Sequence, residues 1–172
     1  MLPLGAPDRQ TTARAPCPAA RRRLIDSDVA LVEDLCSPGA DRVAREDFSP
    51  RFQVCLPYRG AFVWRVAGED VFADPNQMLF VTGNESFRVL QAVPTRYAEL
   101  IVTPTASVLR DLIRTDDPRR WCLHEAFWRR RRRMAPSLQL AGARLRRLAA
   151  HEDADPVAVD EAVAALLERA LD

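Results

Sequence analysis

Lysine is absent from this 172-residue chain, and all 25 basic side chains are arginine. Schiff-base catalysis and a P-loop lysine are therefore excluded. The arginine bias itself reads as codon usage. Histidine is nearly absent too: His124 and His151 are the only two. The four cysteines, Cys17, Cys36, Cys55 and Cys122, form no C-x-x-C pair. No apolar run approaches the roughly 18 residues that a membrane span needs. Arg9, Arg14 and Arg21 to Arg23 interrupt any apolar leader at the N-terminus. Neither sign of charge dominates: 24 acidic residues leave a net charge of +1. A polybasic nucleic-acid coat and an acidic tail are thereby excluded. These absences point to a reduced, cytoplasmic protein with free thiols and no membrane partner.

The composition that remains is ordinary for a globular protein, with 48% hydrophobic and 28% charged residues. The length suits one domain with a helical annex. Residues 1–23 hold four prolines among Ala, Thr and Arg without apolar periodicity, and read as a disordered arm. Residues 24–104 then show period-2 segments between turn signals. Val29, Leu31 and Leu35 fall on odd positions, with Asp34 and Cys36 between. Residues 42–48 read as a polar strand, and 52–56, 61–66, 71–73, 77–82, 86–91 and 97–103 as clearer ones. Seven or eight short strands at this spacing indicate an antiparallel sandwich or barrel. After Pro104 the period becomes 3.6. Thr105 is expected to cap a helix carrying Val108, Leu109, Leu112 and Ile113. Residues 119–134 read as irregular and end in five arginines. Ser137 opens a second helix. Asp155 caps a third, with Pro156 at its first position. The last two are expected to pair as a hairpin, in a helical dimerisation region spanning 105–172.

The order of strands and turns carries a resemblance. The stretch Phe52-Gln53-Val54-Cys55-Leu56-Pro57-Tyr58-Arg59-Gly60-Ala61-Phe62-Val63 and the stretch Asp74-Pro75-Asn76-Gln77-Met78-Leu79-Phe80 resemble two segments of the N-terminal sensor domain of AraC/XylS-family transcription regulators. The likeness covers roughly residues 24–172. It implies a mainly β fold with C-terminal α: an antiparallel cupin-like barrel (a double-stranded β-helix) followed by a helical hairpin. It also implies a small-molecule effector in the barrel, a homodimer held by the helices, and contact with DNA only through a helix-turn-helix module. No such module lies before Asp172, so DNA binding is implied for a longer parent protein, whether this chain is cut out of it or naturally short.

The chemistry of the barrel follows from its residues. Metal-binding cupins carry a His-x-His pair and a glutamate after a glycine. Here Phe62, Trp64 and Arg65 follow Gly60. The turn at Pro94-Thr95-Arg96 lacks the later histidine as well. No three-histidine iron or zinc centre can be built from His124 and His151, so neither a metal nor another cofactor is expected. No G-x-S-x-G occurs, and Cys122-Leu123-His124 reads as a loop, not a nucleophile and base. Alternation puts Phe62, Trp64 and Val66 on one face of their strand, and Met78, Phe80 and Thr82 on one face of theirs.

The expected effector site is therefore lined by Gln53, Tyr58, Arg59, Phe62, Trp64, Phe80, Phe87 and Arg88. An arginine pointing inward would be costly without an anionic partner. The expected dimer face is the stripe Leu138, Ala141, Leu145 and Leu148 with Val159, Val163, Leu166 and Ala170, and the alternative is that this stripe packs on the barrel or within the hairpin. The arginine run at 129–133 reads mainly as a solvated or internally neutralised face. Two rival functions stand beside the sensor: a stand-alone cupin enzyme, and a thiol or soft-metal sensor using Cys36 and Cys55.

Overall fold

The protein is described here from a computed structural model that covers residues 20–37, 45–90, 96–113, 129–151 and 153–171. The described residues form ten strands and three helices. The strands are β1 (Ala20–Asp26), β2 (Ala30–Ser37), β3 (Arg45–Ser49), β4 (Gln53–Arg59), β5 (Phe62–Val66), β6 (Glu69–Ala73), β7 (Gln77–Val81), β8 (Glu85–Leu90), β9 (Tyr97–Pro104) and β10 (Arg131–Arg133). The helices are α1 (Ala106–Ile113), α2 (Pro136–Leu148) and α3 (Pro156–Leu171). Among the described residues no helix is long and apolar enough to cross a membrane.

Every strand pairing is antiparallel. One sheet runs β1-β2-β9-β4-β7-β10 and the other β3-β8-β5-β6. With the flanking strands β1 and β10 set aside, β2-β9-β4-β7 faces β3-β8-β5-β6. That order is the jelly-roll connectivity of a double-stranded β-helix. The mainly antiparallel fold with C-terminal helices thus agrees with the expectation.

Two apolar cores share the larger sheet. Between the sheets lie Cys55, Phe62, Trp64, Val66, Val71, Ala73, Leu79, Val81, Tyr97 and Ile101. On the opposite face Val32, Val54, Leu56, Met78, Phe80, Leu100 and Val102 pack against residues of all three helices. All eight residues of β9 are buried as a result. Here the alternation expected of a half-exposed strand is lost, because both faces are covered. Asp155 accepts from the Val157 N–H at 3.1 Å and caps α3, with Pro156 next to it. Thr105 does not cap α1 in the expected way: its hydroxyl donates to the Asp28 carbonyl at 2.9 Å and ties the helix start to the β1–β2 turn.

Several expectations need correction. Ala20 to Arg23, assigned to the disordered arm, form the first half of β1 and pair with residues 33–36. Arg131 to Arg133, read as irregular, add β10 to the edge of β7. Within the arginine run two residues are engaged. Arg130 forms a two-pronged pair with Glu85 and donates to Thr82 Oγ1 at 2.9 Å. Arg132 donates to the Ala170 carbonyl at 3.2 Å, near the C-terminal end of α3, where carbonyls lack partners. Cys36 and Cys55 cannot pair. They lie on β2 and β4, which flank β9 on opposite sides, and they point to opposite faces of the sheet. Cys17, Cys122, His124 and the residues around them lie outside the described residues.

The stripe expected to join two copies is turned inward. Leu138, Leu145, Val159, Val163, Leu166 and Ala170 are buried, and Ala141 and Leu148 pack beside them, all against the outer face of the six-stranded sheet. The reason is energetic. That face exposes a row of Val, Leu and Phe side chains, each contributing about 2 kcal/mol when buried. Covering it within one chain avoids the entropy lost when two molecules associate.

Two glycines should respond oppositely to alanine. Gly60 has φ +70°, and an added Cβ would stand 2.2 Å from the Arg96 carbonyl oxygen. Gly142 lies mid-helix, and its Cβ would meet only Leu56 Cδ1 at 3.6 Å. In thermal unfolding followed by circular dichroism, Gly60→Ala should cost about 2–4 kcal/mol. Gly142→Ala should add about 0.5–1 kcal/mol through helix propensity.

Candidate ligand-binding site

The space between the sheets holds more polar chemistry than an inert core requires. The registers put Leu31, Thr103, Gln53 and Val81 in one row across the larger sheet, Glu33, Ile101, Cys55 and Leu79 in the next, and Leu35, Glu99 and Pro57 in a third. All of these but Pro57, which sits at the β4 bulge, point toward the smaller sheet. Gln53 Nε2 donates to Thr103 Oγ1 at 3.2 Å, and this pair is buried. Glu33 accepts both prongs of Arg21, at 3.0 and 2.7 Å. Asp47 of β3 lies 3.9 Å from the same guanidinium. Arg21 is thus an inward-leaning arginine with its carboxylates supplied by the fold.

Glu99 is the outlying group. It is only 6% exposed, and the described hydrogen bonds include none to its carboxylate. Burial pushes its carboxyl from an ordinary 4.5 up to about 7. The Arg21 charge lowers it and the Asp47 charge raises it, both less than burial does. Cys55, in the next row, is also pushed well up, by burial first and then by Glu99. A thiol held protonated in this way is a poor nucleophile and a poor metal ligand. Among the described residues no three His, Cys, Asp or Glu side chains are grouped to hold a metal ion.

The smaller sheet provides the aromatic wall. Phe62 is buried and its ring lies 4.6 Å from that of Tyr97 at 37°. Trp64 is buried edge-on to Phe87, with centroids 5.6 Å apart. Gln53, Phe62, Trp64 and Phe87 thus all face the space between the sheets.

The other four expected site residues lie elsewhere. Phe80 shares its face with Met78, as alternation requires, but that face meets the helices. Arg88 is exposed on the outer side of the smaller sheet, 3.4 Å from Glu46. Arg59 is exposed at the end of β4. Tyr58 falls at a bulge between Pro57 and Arg59, which leaves it without a ladder partner. Its ring lies on the helix side, 3.5 Å under the Arg146 guanidinium. Its hydroxyl donates to Asp34 Oδ1 at 2.6 Å and contacts Cys36 Sγ at 3.7 Å. The phenol pKa is raised, by burial first and then by these two bonds.

Sequence reasoning missed Glu99, Thr103, Arg21, Glu33 and Asp47. A glutamate amid Tyr97-Ala98-Leu100-Ile101-Val102 was the available signal, since a charge inside an apolar strand is expensive.

The fold is a cupin-like double-stranded β-helix, with aromatic and carboxylate side chains between its sheets. No protein-family model matches the chain, and no curated protein matches it. Among solved structures the chain is similar to the EutQ protein of Clostridium difficile, at 13% identity over 50% of this chain and 67% of that one, with a TM-score of 0.43. It is similar to a cupin-superfamily protein of Desulfitobacterium hafniense, at 17% identity over 51% and 77%, with a TM-score of 0.43. It is also similar to an RmlC-like cupin of Methanocaldococcus jannaschii with a double-stranded β-helix fold, at 8% identity over 51% and 80%, with a TM-score of 0.44. These likenesses cover about half of this chain and concern the fold alone.

Glu99 sets a pH dependence. Its folded-state pKa is raised, so the folded form holds a proton that the unfolded form releases from pH 4.5 upward. Stability should therefore fall as pH rises from 4.5 to about 7 and level off above. The total loss should be on the order of 3 kcal/mol. Urea unfolding at pH 5, 6, 7 and 8 would measure it, and Glu99→Gln should flatten the slope over that interval.

Proposed function

We propose that the chain is the effector-sensing domain of an AraC/XylS-type regulator, taking a small organic ligand between its two sheets. The domain is read as a binder, not an enzyme, and its output goes to a DNA-binding module through the helices. The observation that carries this reading is Glu99. A buried carboxylate with no donor among the described hydrogen bonds costs stability, and a ligand that donates a hydrogen bond would offset that cost. Trp64 and Phe87 on the facing sheet offer flat apolar surface, while Gln53 and Thr103 offer a second polar contact. Such a mixture of aromatic walls and a few convergent polar groups is the usual make-up of a small-molecule site. The resemblance of residues 52–63 and 74–80 to AraC/XylS sensor segments supports the regulatory assignment.

The physical route to an output runs through the six-stranded sheet. Its inner face bears Glu99 and Gln53, and its outer face packs on the helices. A ligand that favours one arrangement of β4 and β9 shifts the population of helix arrangements by its difference in affinity. Thermal-shift screening of the purified protein against small amines, polyols and aromatic alcohols tests the reading. A binder at a hundredfold excess over its Kd should raise the melting temperature by about 5–10 °C. Glu99→Gln should weaken that binder about tenfold. The sensor reading is overturned if no compound of these classes stabilises the protein, or if it purifies with one equivalent of iron, zinc, manganese or nickel.

A further inference from the structure

A separate cavity of about 170 Å3 lies on the other side of the larger sheet, between β4, β9 and α2. Leu56, Leu100, Met134 and Leu138 form its apolar walls. Gly142 faces the sheet there, where an added Cβ would meet Leu56 Cδ1 at 3.6 Å, an ordinary contact. Its volume is close to the roughly 150 Å3 that accepts a benzene-sized guest.

The polar groups at its rim are spent, except one. The Tyr58 hydroxyl donates to Asp34, and Gln139 Nε2 donates to the Pro75 carbonyl at 2.7 Å. Arg146 is stacked on Tyr58 through its flat face, and the ion pairs among the described residues include none to it. Stacking occupies the face of a guanidinium and leaves its in-plane N–H groups free, in the fork that matches a carboxylate. Asp34 is the nearby acid named by the geometry. It is engaged by Tyr58 and lies 3.9 Å from Arg22, so its charge is partly offset.

We propose that this cavity is a second small-molecule site, which takes a compact aromatic or alicyclic monocarboxylate. The ring sits between α2 and the sheet, and the carboxylate meets the N–H edge of Arg146. The cavity is distinct from the barrel interior: Leu56 and Leu100 face away from Glu99 across the same sheet. A ligand here would wedge or clamp α2 against β4.

Isothermal titration with sodium benzoate, and with benzamide as its neutral counterpart, tests this. Benzoate should bind the wild-type chain at least about tenfold more tightly than benzamide. Arg146→Gln should remove that preference, and Ala143→Phe, at an exposed position on the cavity rim, should block both ligands. Arg88→Gln, at an exposed arginine on the outer side of the smaller sheet, should leave benzoate binding unchanged, and the block by Ala143→Phe separates this site from the barrel. Circular dichroism confirms that each variant is folded. The proposal is overturned if benzoate does not bind at millimolar concentration, if benzamide binds equally well, if Arg146→Gln keeps the wild-type affinity, or if Ala143→Phe still binds benzoate.

Discussion

Strands β4 and β9 are covered on both faces, and the rest of the molecule is arranged to make that possible. Each face of the six-stranded sheet presents apolar side chains, so each needs a cover. The smaller sheet covers one and the helices cover the other. A half-exposed antiparallel sheet would need only one. This requirement explains why α2 and α3 direct their apolar stripe at the sheet. It also explains why the two places that could receive a ligand lie back to back, separated by one layer of backbone.

The polar residues inside this scheme are the costly ones. Gln53 and Thr103 satisfy each other. Arg21 and Glu33 form a two-pronged pair at the sheet edge, where water still reaches the guanidinium. Glu99 has no hydrogen bond among those described and only the weaker pull of the Arg21 charge, and burial raises its pKa to about 7. On the helix side the Arg146–Tyr58–Asp34 chain links α2, β4 and β2. Both sets of groups touch β4 and β9 or their immediate neighbours, so occupancy on either face would be felt by the same strands.

The strands with clear alternation or β-branched and aromatic residues were legible: β5 reads as buried at Phe62, Trp64 and Val66, and the structure places these three between the sheets. The two flanking strands were not. Arg21 to Arg23 and Arg131 to Arg133 carry no apolar signal, because edge strands are recruited by backbone pairing and tolerate charge. Half of the expected ligand residues were misplaced for a related reason. Phe80 and Phe62 look equally apolar in the sequence, yet they face different cores. Tyr58 is displaced by a bulge that no local pattern announces.

The order of short strands followed by three helices, the two histidines and the absence of lysine belong to the sequence itself, since periodicity and composition are local properties. Which side of a strand meets helix and which meets sheet is not local. It depends on what the chain brings up against each face hundreds of atoms later, and only the closed tertiary structure decides it. For that reason the carboxylate of Glu99 became an interior group and Tyr58 an exterior one.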